Sequence, residues 1–384
     1  MKVATVVGTR PQFIKAAVVS RALRERHREV LIHAGQHYDP GLSQVFFTGL
    51  NIPEPDYQLR PGAESPGRQL ARMFKGIKEV LAREQPALVL VYGDSRTTLA
   101  GSLAALAAGI PLGHVEAGLR SHDLSMPEEF NRIVADRLSS LLFCPSQRAV
   151  QNIRREHPPA RKSGPADEGC SPPAPVPFAG PPHRAGVVCN VGDVALEALI
   201  NVLNGGDGVP PPAVRGGVRP GEYLLATVHR AANTDSRFRL DAILAGLAGT
   251  GAKVVLPLHP RTRKKITDFG LEHYLCCPGM TVIEPVGYPE MVWLLSNAAR
   301  VITDSGGLQR EAFLLQVPCI TLRRETEWVE TVEKGCSVLV DCDPEQIRRA
   351  AVMAFNPDWS GFPYGRGEAS RLIVRVLEEC FWPG

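Results

Sequence analysis

Short apolar runs alternate with amphipathic stretches along almost the whole chain, and this alternation constrains the fold more than any other feature. A run too short for a helix, followed by apolar residues spaced three and four apart, is the pattern of a βαβ unit with parallel strands buried on both faces. In the first half the runs are Lys2–Val7, Val30–Ala34, Leu88–Val91, Leu112–Val115 and Leu141–Cys144, with helical patterns over Gln12–Arg26, Thr97–Ala108 and Glu129–Leu138. The second half repeats the rhythm. Strands are expected at Tyr223–Val228, Lys253–Leu258, Arg300–Thr303, Pro318–Leu322 and Val338–Val340, and helices at Leu240–Leu247, Pro289–Ala298, Leu308–Leu315 and Pro344–Phe355. At 384 residues the chain exceeds what one ordinary core accommodates, so two α/β domains are expected.

Between the halves, His157–Gly186 holds nine of the 33 prolines. Proline has no N–H and a fixed φ, so this segment is expected neither to join a sheet nor to continue a helix. It reads as a linker or insertion, with a functional lid as the alternative. Gly205–Pro220 is a second turn-rich stretch. Two domains joined this way imply a cleft, and ligands of open parallel sheets sit beyond the carboxyl ends of the strands.

Net charge is only +3 with both signs interspersed, which argues against a nucleic-acid or membrane-surface partner. No apolar run approaches the roughly 18 residues that span a bilayer. Met1–Val7 lacks the apolar region and cleavage site of a signal peptide, so a cytosolic protein is expected. The nine cysteines show neither a CxxC nor a Cys/His ligand pattern, so no metal site is expected.

The polar motifs fall where strands give way to helices. Gly8-Thr9-Arg10-Pro11-Gln12-Phe13-Ile14-Lys15 is such a turn. Its N–H groups attract anions, and Arg10 and Lys15 add positive charge, although an ordinary turn with two surface cations reads the same way. In Tyr92-Gly93-Asp94-Ser95-Arg96, Asp94 reads first as a helix N-cap and second as a carboxylate facing the cleft. In His114-Val115-Glu116-Ala117-Gly118-Leu119-Arg120, Glu116 ends a strand, where a carboxylate does little for the fold. Glu128 and Glu129 open the next helix, which the helix dipole explains without function. Asp94 and Glu116 follow neighbouring strands, and paired carboxylates drive their pKa values apart, as acid/base work requires.

In the second half, Thr227-Val228-His229-Arg230 and His259-Pro260-Arg261 end consecutive strands, which looks like a binding edge. Asp304-Ser305-Gly306-Gly307-Leu308-Gln309-Arg310-Glu311 presents backbone N–H groups at a helix start, a cradle for a diphosphate. Glu311, four residues past Gly307, is in reach of a ribose diol, and Arg323, Thr326 and Glu327 follow.

Taken in order, Gly8-Thr9-Arg10-Pro11, Gly93-Asp94, His114 to Arg120, Pro127-Glu128-Glu129, Asn131-Arg132, His229-Arg230 and Asp304 to Gln309 resemble the non-hydrolysing UDP-N-acetylglucosamine 2-epimerases. The resemblance runs from about Lys2 to Val376 and fails only in the proline-rich insertion. It implies an α/β fold of two Rossmann-like domains facing a cleft, of the glycosyltransferase-B type, with a C-terminal helix crossing back to the first domain. The expected boundaries are residues 1–156 and 366–384 for the first domain, 157–186 for the insertion and 187–365 for the UDP-binding domain. The resemblance further implies a cytosolic homodimer acting on a UDP-sugar without any cofactor. By motif, Asp94, Glu116 and Glu128 become acid/base candidates, with His229 beside the diphosphate. Arg10 and Lys15 would join His229 in holding phosphate. Ser305, Gly306, Gly307 and Glu311 would hold UDP, while Arg132, Arg230, Arg323, Thr326 and Glu327 complete the substrate site.

Five positions depart from the family pattern. Glutamates are usual where Gln12 and Ala232 stand, Thr-rich residues where Ser95-Arg96 stand, and an acid where Arg366 stands. Together these departures are expected to alter the cleft's charge. Gln36-His37 is followed by Tyr38-Asp39-Pro40 rather than arginine, which sets the chain apart from members with a second, activating UDP-sugar site. The alternatives are a modified UDP-sugar such as a diacetamido uronic acid, a glycosyltransferase on the same fold, and a nucleotide-sugar binding protein without catalysis.

Overall fold

A computed structural model describes residues 1–35, 54–60, 62, 65–124, 126–156, 176–179, 185–205, 211, 214, 217–361 and 363–381. The chain forms two units, Met1–Asn201 with Phe362–Gly384, and Val202–Gly361. Each is Rossmann-like.

The first sheet runs in the order β3-β2-β1-β4-β5-β6-β8-β7. Its strands are β1 (Lys2–Val7), β2 (Arg28–His33), β3 (Tyr57–Gln58), β4 (Leu88–Tyr92), β5 (Leu112–Val115), β6 (Leu141–Cys144), β7 (Val176–Ala179) and β8 (Ala185–Asn190). All pairs are parallel except β7 with β8. The helices between them include α1 (Arg10–Arg24), α2 (Pro66–Glu84), α3 (Arg96–Ala107), α4 (Pro127–Leu138) and α5 (Gln147–Glu156). Alternate strand residues Ala4, Val6, Ile32, Val89 and Val91 enter one core with Met73 and Ile77 of α2 and Ala100 and Ala104 of α3.

The second sheet, β11-β10-β9-β12-β13-β14, is parallel throughout. It comprises β9 (Tyr223–Thr227), β10 (Lys253–Pro257), β11 (Met280–Ile283), β12 (Arg300–Thr303), β13 (Cys319–Thr321) and β14 (Ser337–Leu339). Leu224 and Ala226 of β9 enter one apolar cluster, and Tyr223 and Leu225 enter another. Both faces of the strand are therefore buried, as its continuous apolar run requires.

In each sheet the strand order reverses beside the first strand, β1 in one and β9 in the other. Loops leaving the strands on either side of such a switch point diverge and leave room for a ligand. Gly8 follows β1 and Gly93-Asp94 follow β4, while His229 follows β9 and Asp304 follows β12.

Two expectations change. Strand β8 pairs with β6, Leu141 opposite Val187, so residues up to Asn201 belong to the first unit rather than to a domain starting at 187. The proline-rich segment also supplies a strand: β7, with Pro177 in it, lies antiparallel to β8 at the sheet's edge. An edge strand tolerates a missing N–H because one side of it has no neighbour to bond. The rest of that segment, 157–175 and 180–184, lies outside the described residues, as do Gln36 to Pro40.

The C-terminal helix α14 (Ala369–Phe381) belongs to the first unit and packs on α1. Glu197, on the helix Val194–Asn204 (α6), accepts hydrogen bonds from the Ser370 backbone N–H at 2.8 Å and from its hydroxyl. A carboxylate on first-turn donors acts as a side-chain cap. Glu197→Ala should therefore destabilise the start of α14 by about 1 kcal/mol. Amide hydrogen exchange checks this: faster exchange confined to the first turn of α14 is expected, and unchanged exchange there would contradict the capping role.

Candidate active site

At the carboxyl edge of the first sheet, two turns are joined by one side chain. The Gln12 carbonyl oxygen accepts from the N–H groups of Gly8 (2.9 Å) and Thr9 (3.1 Å). Its amide donates to the Tyr92 carbonyl at 2.7 Å and lies 2.9 and 3.0 Å from the Ser95 and Thr98 hydroxyls. A carboxylate at this buried position would face the Tyr92 carbonyl with no proton to donate. This departure from the family pattern therefore acts on how the turns are tied.

Asp94 is not the N-cap of α3. Ser95 caps it, accepting from the N–H groups of Thr97 (3.1 Å) and Thr98 (3.4 Å), so the Asp94 side chain is available for other contacts. It forms an ion pair with Arg132 of α4, while the Asn131 amide donates to the Asp94 backbone carbonyl at 2.9 Å. Serine was the unrecognised cap because an aspartate beside it matches the same statistical preference.

Glu116 sits at φ +73°, a conformation that costs a non-glycine residue on the order of 1 kcal/mol or more. Its N–H donates to the Phe143 carbonyl at 3.0 Å, and its carboxylate pairs with Lys15 of α1. Both side chains are largely buried, so neither charge could be held there without the other. A Cβ added to Gly93 would lie 3.2 Å from the Lys15 Nζ and 4.0 Å from a Glu116 carboxylate oxygen. The Lys15–Glu116 pair therefore borders the turn that carries Asp94.

Of the two acids opening α4, Glu129 is buried and accepts from the Ser121 N–H, the Ser121 hydroxyl and the His122 N–H, each at 3.0 Å. Glu128 is half-buried and has no partner among the described residues. The side chain of Arg10 lies outside the described residues.

Behind the Gly93–Asp94 turn His114, Asp136 and Arg120 form a buried group joined by the half-buried Glu156, and the sequence pattern assigned none of the four a role. Asp136 stands in the middle of α4, where nothing local distinguishes it from a surface acid. Burial works against its charge, and Arg120, then His114, outweigh that and hold its carboxyl below the usual range.

At the carboxyl edge of the second sheet, Asp304 is the organising residue. It is fully buried and accepts from the N–H groups of His229 (3.1 Å) and Arg230 (3.0 Å) and from the Asn233 amide (3.1 Å). The His229 Nδ1 lies 3.3 Å from the same carboxylate, which sets the imidazole's orientation. The His229 and His259 rings are 5.7 Å apart, but His259 caps the next helix by accepting from the Arg261 N–H.

Ser305 caps α11 (Gly306–Leu314), accepting from the Leu308 N–H at 3.4 Å. Gly306 lies against Glu327: a Cβ there would run into the Glu327 carboxylate, which would have to shift. That carboxylate is held by Arg323 at 2.7 Å and lies 3.7 Å from Arg230, so Glu327, Arg323, Arg230 and Gly306 form one cluster. Thr326 donates to Gln309 at 2.6 Å, and Glu311 accepts from the Tyr288 hydroxyl at 3.1 Å. Gly307 lies beside the Ser305 hydroxyl, 3.8 Å from where its Cβ would be. No group of His, Cys, Asp and Glu with metal-site geometry occurs among the described residues, and no helix among them is long and apolar enough to cross a membrane.

The family model described as UDP-N-acetylglucosamine 2-epimerase matches residues 21–378. A UDP-N-acetylglucosamine 2-epimerase homolog of Methanococcus maripaludis is 42% identical over 381 residues, 98% of this chain and 99% of that protein. The UDP-2,3-diacetamido-2,3-dideoxy-D-glucuronate 2-epimerase of Pseudomonas aeruginosa is 41% identical over 384 residues, again 98% and 99% of the two chains. The crystal structure of Methanocaldococcus jannaschii UDP-GlcNAc 2-epimerase in complex with UDP-GlcNAc and UDP is similar with a TM-score of 0.85, at 36% identity, covering 99% of this chain and 100% of that one. The chain belongs to the UDP-N-acetylglucosamine 2-epimerase family.

The Asp304 geometry predicts a specific fragility. In Asp304→Asn the negative charge is lost and a single acceptor oxygen remains for the His229 N–H, the Arg230 N–H and the Asn233 amide, so their hydrogen bonds weaken. A loss of about 1–3 kcal/mol is expected in denaturant unfolding. Unchanged stability would mean that the His229–Arg230 turn is held by other contacts.

Proposed function

We propose, starting from membership of that family, that the chain interconverts UDP-N-acetylglucosamine and UDP-N-acetylmannosamine by eliminating UDP and adding it back. The observation that carries this reading is the Asp94–Arg132 pair bordering the Lys15–Glu116 pair at the switch point of one sheet. Two carboxylates in neighbouring turns, each with its own cation, suit proton removal and proton return at one carbon.

The chemistry dictates the roles. The C2–H bond breaks and its electrons form a C1=C2 double bond, while the C1–O bond breaks and its electrons leave on the diphosphate. The products are a glycal and UDP. Return of a proton to the opposite face of C2, with UDP adding back to C1, completes inversion. The C2 proton is weakly acidic, so a positioned base must remove it as the leaving charge is neutralised.

Asp94, Glu116 and Glu128 are the acid/base groups in this reading. Lys15, Arg10, Arg230 and His229, the last oriented by Asp304, counter the diphosphate charge. The N–H groups at Ser305, Gly306 and Gly307 receive the diphosphate at the start of α11, and Glu311 takes the ribose diol. Arg132, Arg323, Thr326 and Glu327 complete the sugar-nucleotide site. The working form in this reading is a cytosolic homodimer that needs no cofactor.

A second reading keeps the chemistry and changes the sugar. The 41% identical relative named as a diacetamido-glucuronate 2-epimerase favours it as much as the relative at 42% favours the first.

Incubation with UDP-GlcNAc in D2O, followed by NMR, separates these outcomes. The expected result is UDP-ManNAc with deuterium at C2 in both epimers. Turnover of the UDP-diacetamido uronate alone selects the second reading, and free ManNAc with UDP would indicate a hydrolysing reaction instead. Asp94→Asn should lower turnover by roughly 10²–10⁴-fold with UDP affinity little changed. Normal turnover in that variant would remove Asp94 from the mechanism.

A further inference from the structure

We propose that His114 is a buried imidazolium that clamps the Gly93–Asp94 turn and thereby positions the Asp94 carboxylate; the positioning role rests on the epimerase reading, whereas the charge state does not.

His114 lies in β5 with no exposed surface. Its Nδ1 is 2.7 Å from an Asp136 carboxylate oxygen, and its Nε2 is 2.7 Å from the Gly93 carbonyl oxygen. Both partners are acceptors. A neutral imidazole has one N–H and one lone pair, so in either tautomer one of these contacts would set two lone pairs against each other. Protons on both ring nitrogens make both contacts favourable.

Moving the extra proton to Asp136 fits less well. The other Asp136 oxygen accepts from Arg120 at 2.7 Å and from the Gly118 N–H at 3.2 Å, donors that favour the carboxylate. Arg120 in turn makes two hydrogen bonds to Glu156, both 2.7 Å. With the ring charged, His114, Asp136, Arg120 and Glu156 sum to zero; with it neutral, the cluster keeps one net negative charge in a largely buried place. Cys144 on β6 faces Asp136 as a neutral thiol, its pKa raised by burial and then by that carboxylate.

The clamp acts on the reactive turn directly. Gly93, at φ +60°, donates its N–H to the Val115 carbonyl at 2.9 Å and accepts from His114 through its own carbonyl. Both polar groups of that residue are thereby tied to β5. Helix α4 holds the next residue: Asn131 binds the Asp94 carbonyl, Arg132 its carboxylate, and Asp136 fixes the imidazole. A carboxylate misplaced by about 1 Å loses on the order of 10²-fold in rate.

Full-length protein labelled with ring-¹⁵N histidine provides the test, by NMR at neutral pH and without substrate. Two ring N–H signals are expected for His114, assigned by their loss in His114→Asn; a single N–H overturns the imidazolium. In D2O, His114→Asn and His114→Gln should exchange the C2 proton of UDP-GlcNAc about 10²-fold more slowly, with the Kd for UDP within about threefold of wild type. Undiminished exchange overturns the positioning role, because a merely structural histidine would alter stability and leave kcat in place. If the His114 variants do not fold, Asp136→Asn keeps the ring and removes its counter-charge. The wild-type ring N–H pair that loses one signal in Asp136→Asn is then assigned to His114, and wild-type protein with no such pair overturns the imidazolium. Wild-type protein that exchanges no C2 proton from either UDP-sugar overturns the epimerase reading and the positioning role with it, while the nitrogen spectrum still decides the charge state.

Discussion

A parallel sheet covered by helices on both faces leaves charged side chains few places to go. Its strands are apolar on both sides, as Leu88–Tyr92 and Tyr223–Thr227 are here, and any ionised group among them would lose its water without compensation. Charge is held mostly at the turns where strands end, where backbone N–H groups and helix N-termini are available as partners, while Glu29 in β2 and His114 in β5 each pair with a helix side chain, Arg24 and Asp136. Asp94, Glu116, His229 and Asp304 all occupy such turns. The same physics that drives the strands together decides where chemistry can be done.

Burial of one or both partners also explains why the acids come with cations. Asp94 has Arg132, Glu116 has Lys15, Asp136 has Arg120 and His114, and Glu327 has Arg323. Such pairs are weak contributors to net stability, because desolvation offsets most of the attraction. Their value lies in position: each charge is fixed relative to a strand end with little freedom to wander. Glu116 adds a strained backbone to its ion pair, and Asp304 replaces a cation with an array of N–H donors.

Much of this was legible in the sequence, and the residues show why. Leu112–Val115, Leu141–Cys144 and Arg300–Thr303 were bounded correctly because apolar runs between polar turns leave little latitude. Strand β8 escaped notice since Ala185–Asn190 follows prolines whose influence ends sooner than composition suggests, and β7 because an edge position excuses Pro177. Asp94 and Ser95 exchanged roles, as two good N-cap residues side by side cannot be ranked without the backbone. The turn motifs pointed to Asp94, Glu116, His229 and the Ser305–Gly306 start of α11. The supports stayed hidden: Gln12 bridges turns 80 or more residues apart, and Asp136 meets His114 across 22. Contacts of that kind belong to tertiary structure, and no local pattern encodes them.

In the proposed reaction the C1–O bond of a UDP-sugar breaks and re-forms while C2 changes hand. Positional isotope exchange measures that bond directly. UDP-GlcNAc carrying ¹⁸O in the bridge between C1 and the diphosphate is incubated with the protein and followed by ³¹P NMR. Elimination and re-addition predict that the label moves from the bridging to the non-bridging positions of the same phosphate as the C2 epimer accumulates. Epimerisation with the label locked in the bridge would contradict the account, because C2 would then invert without departure of UDP.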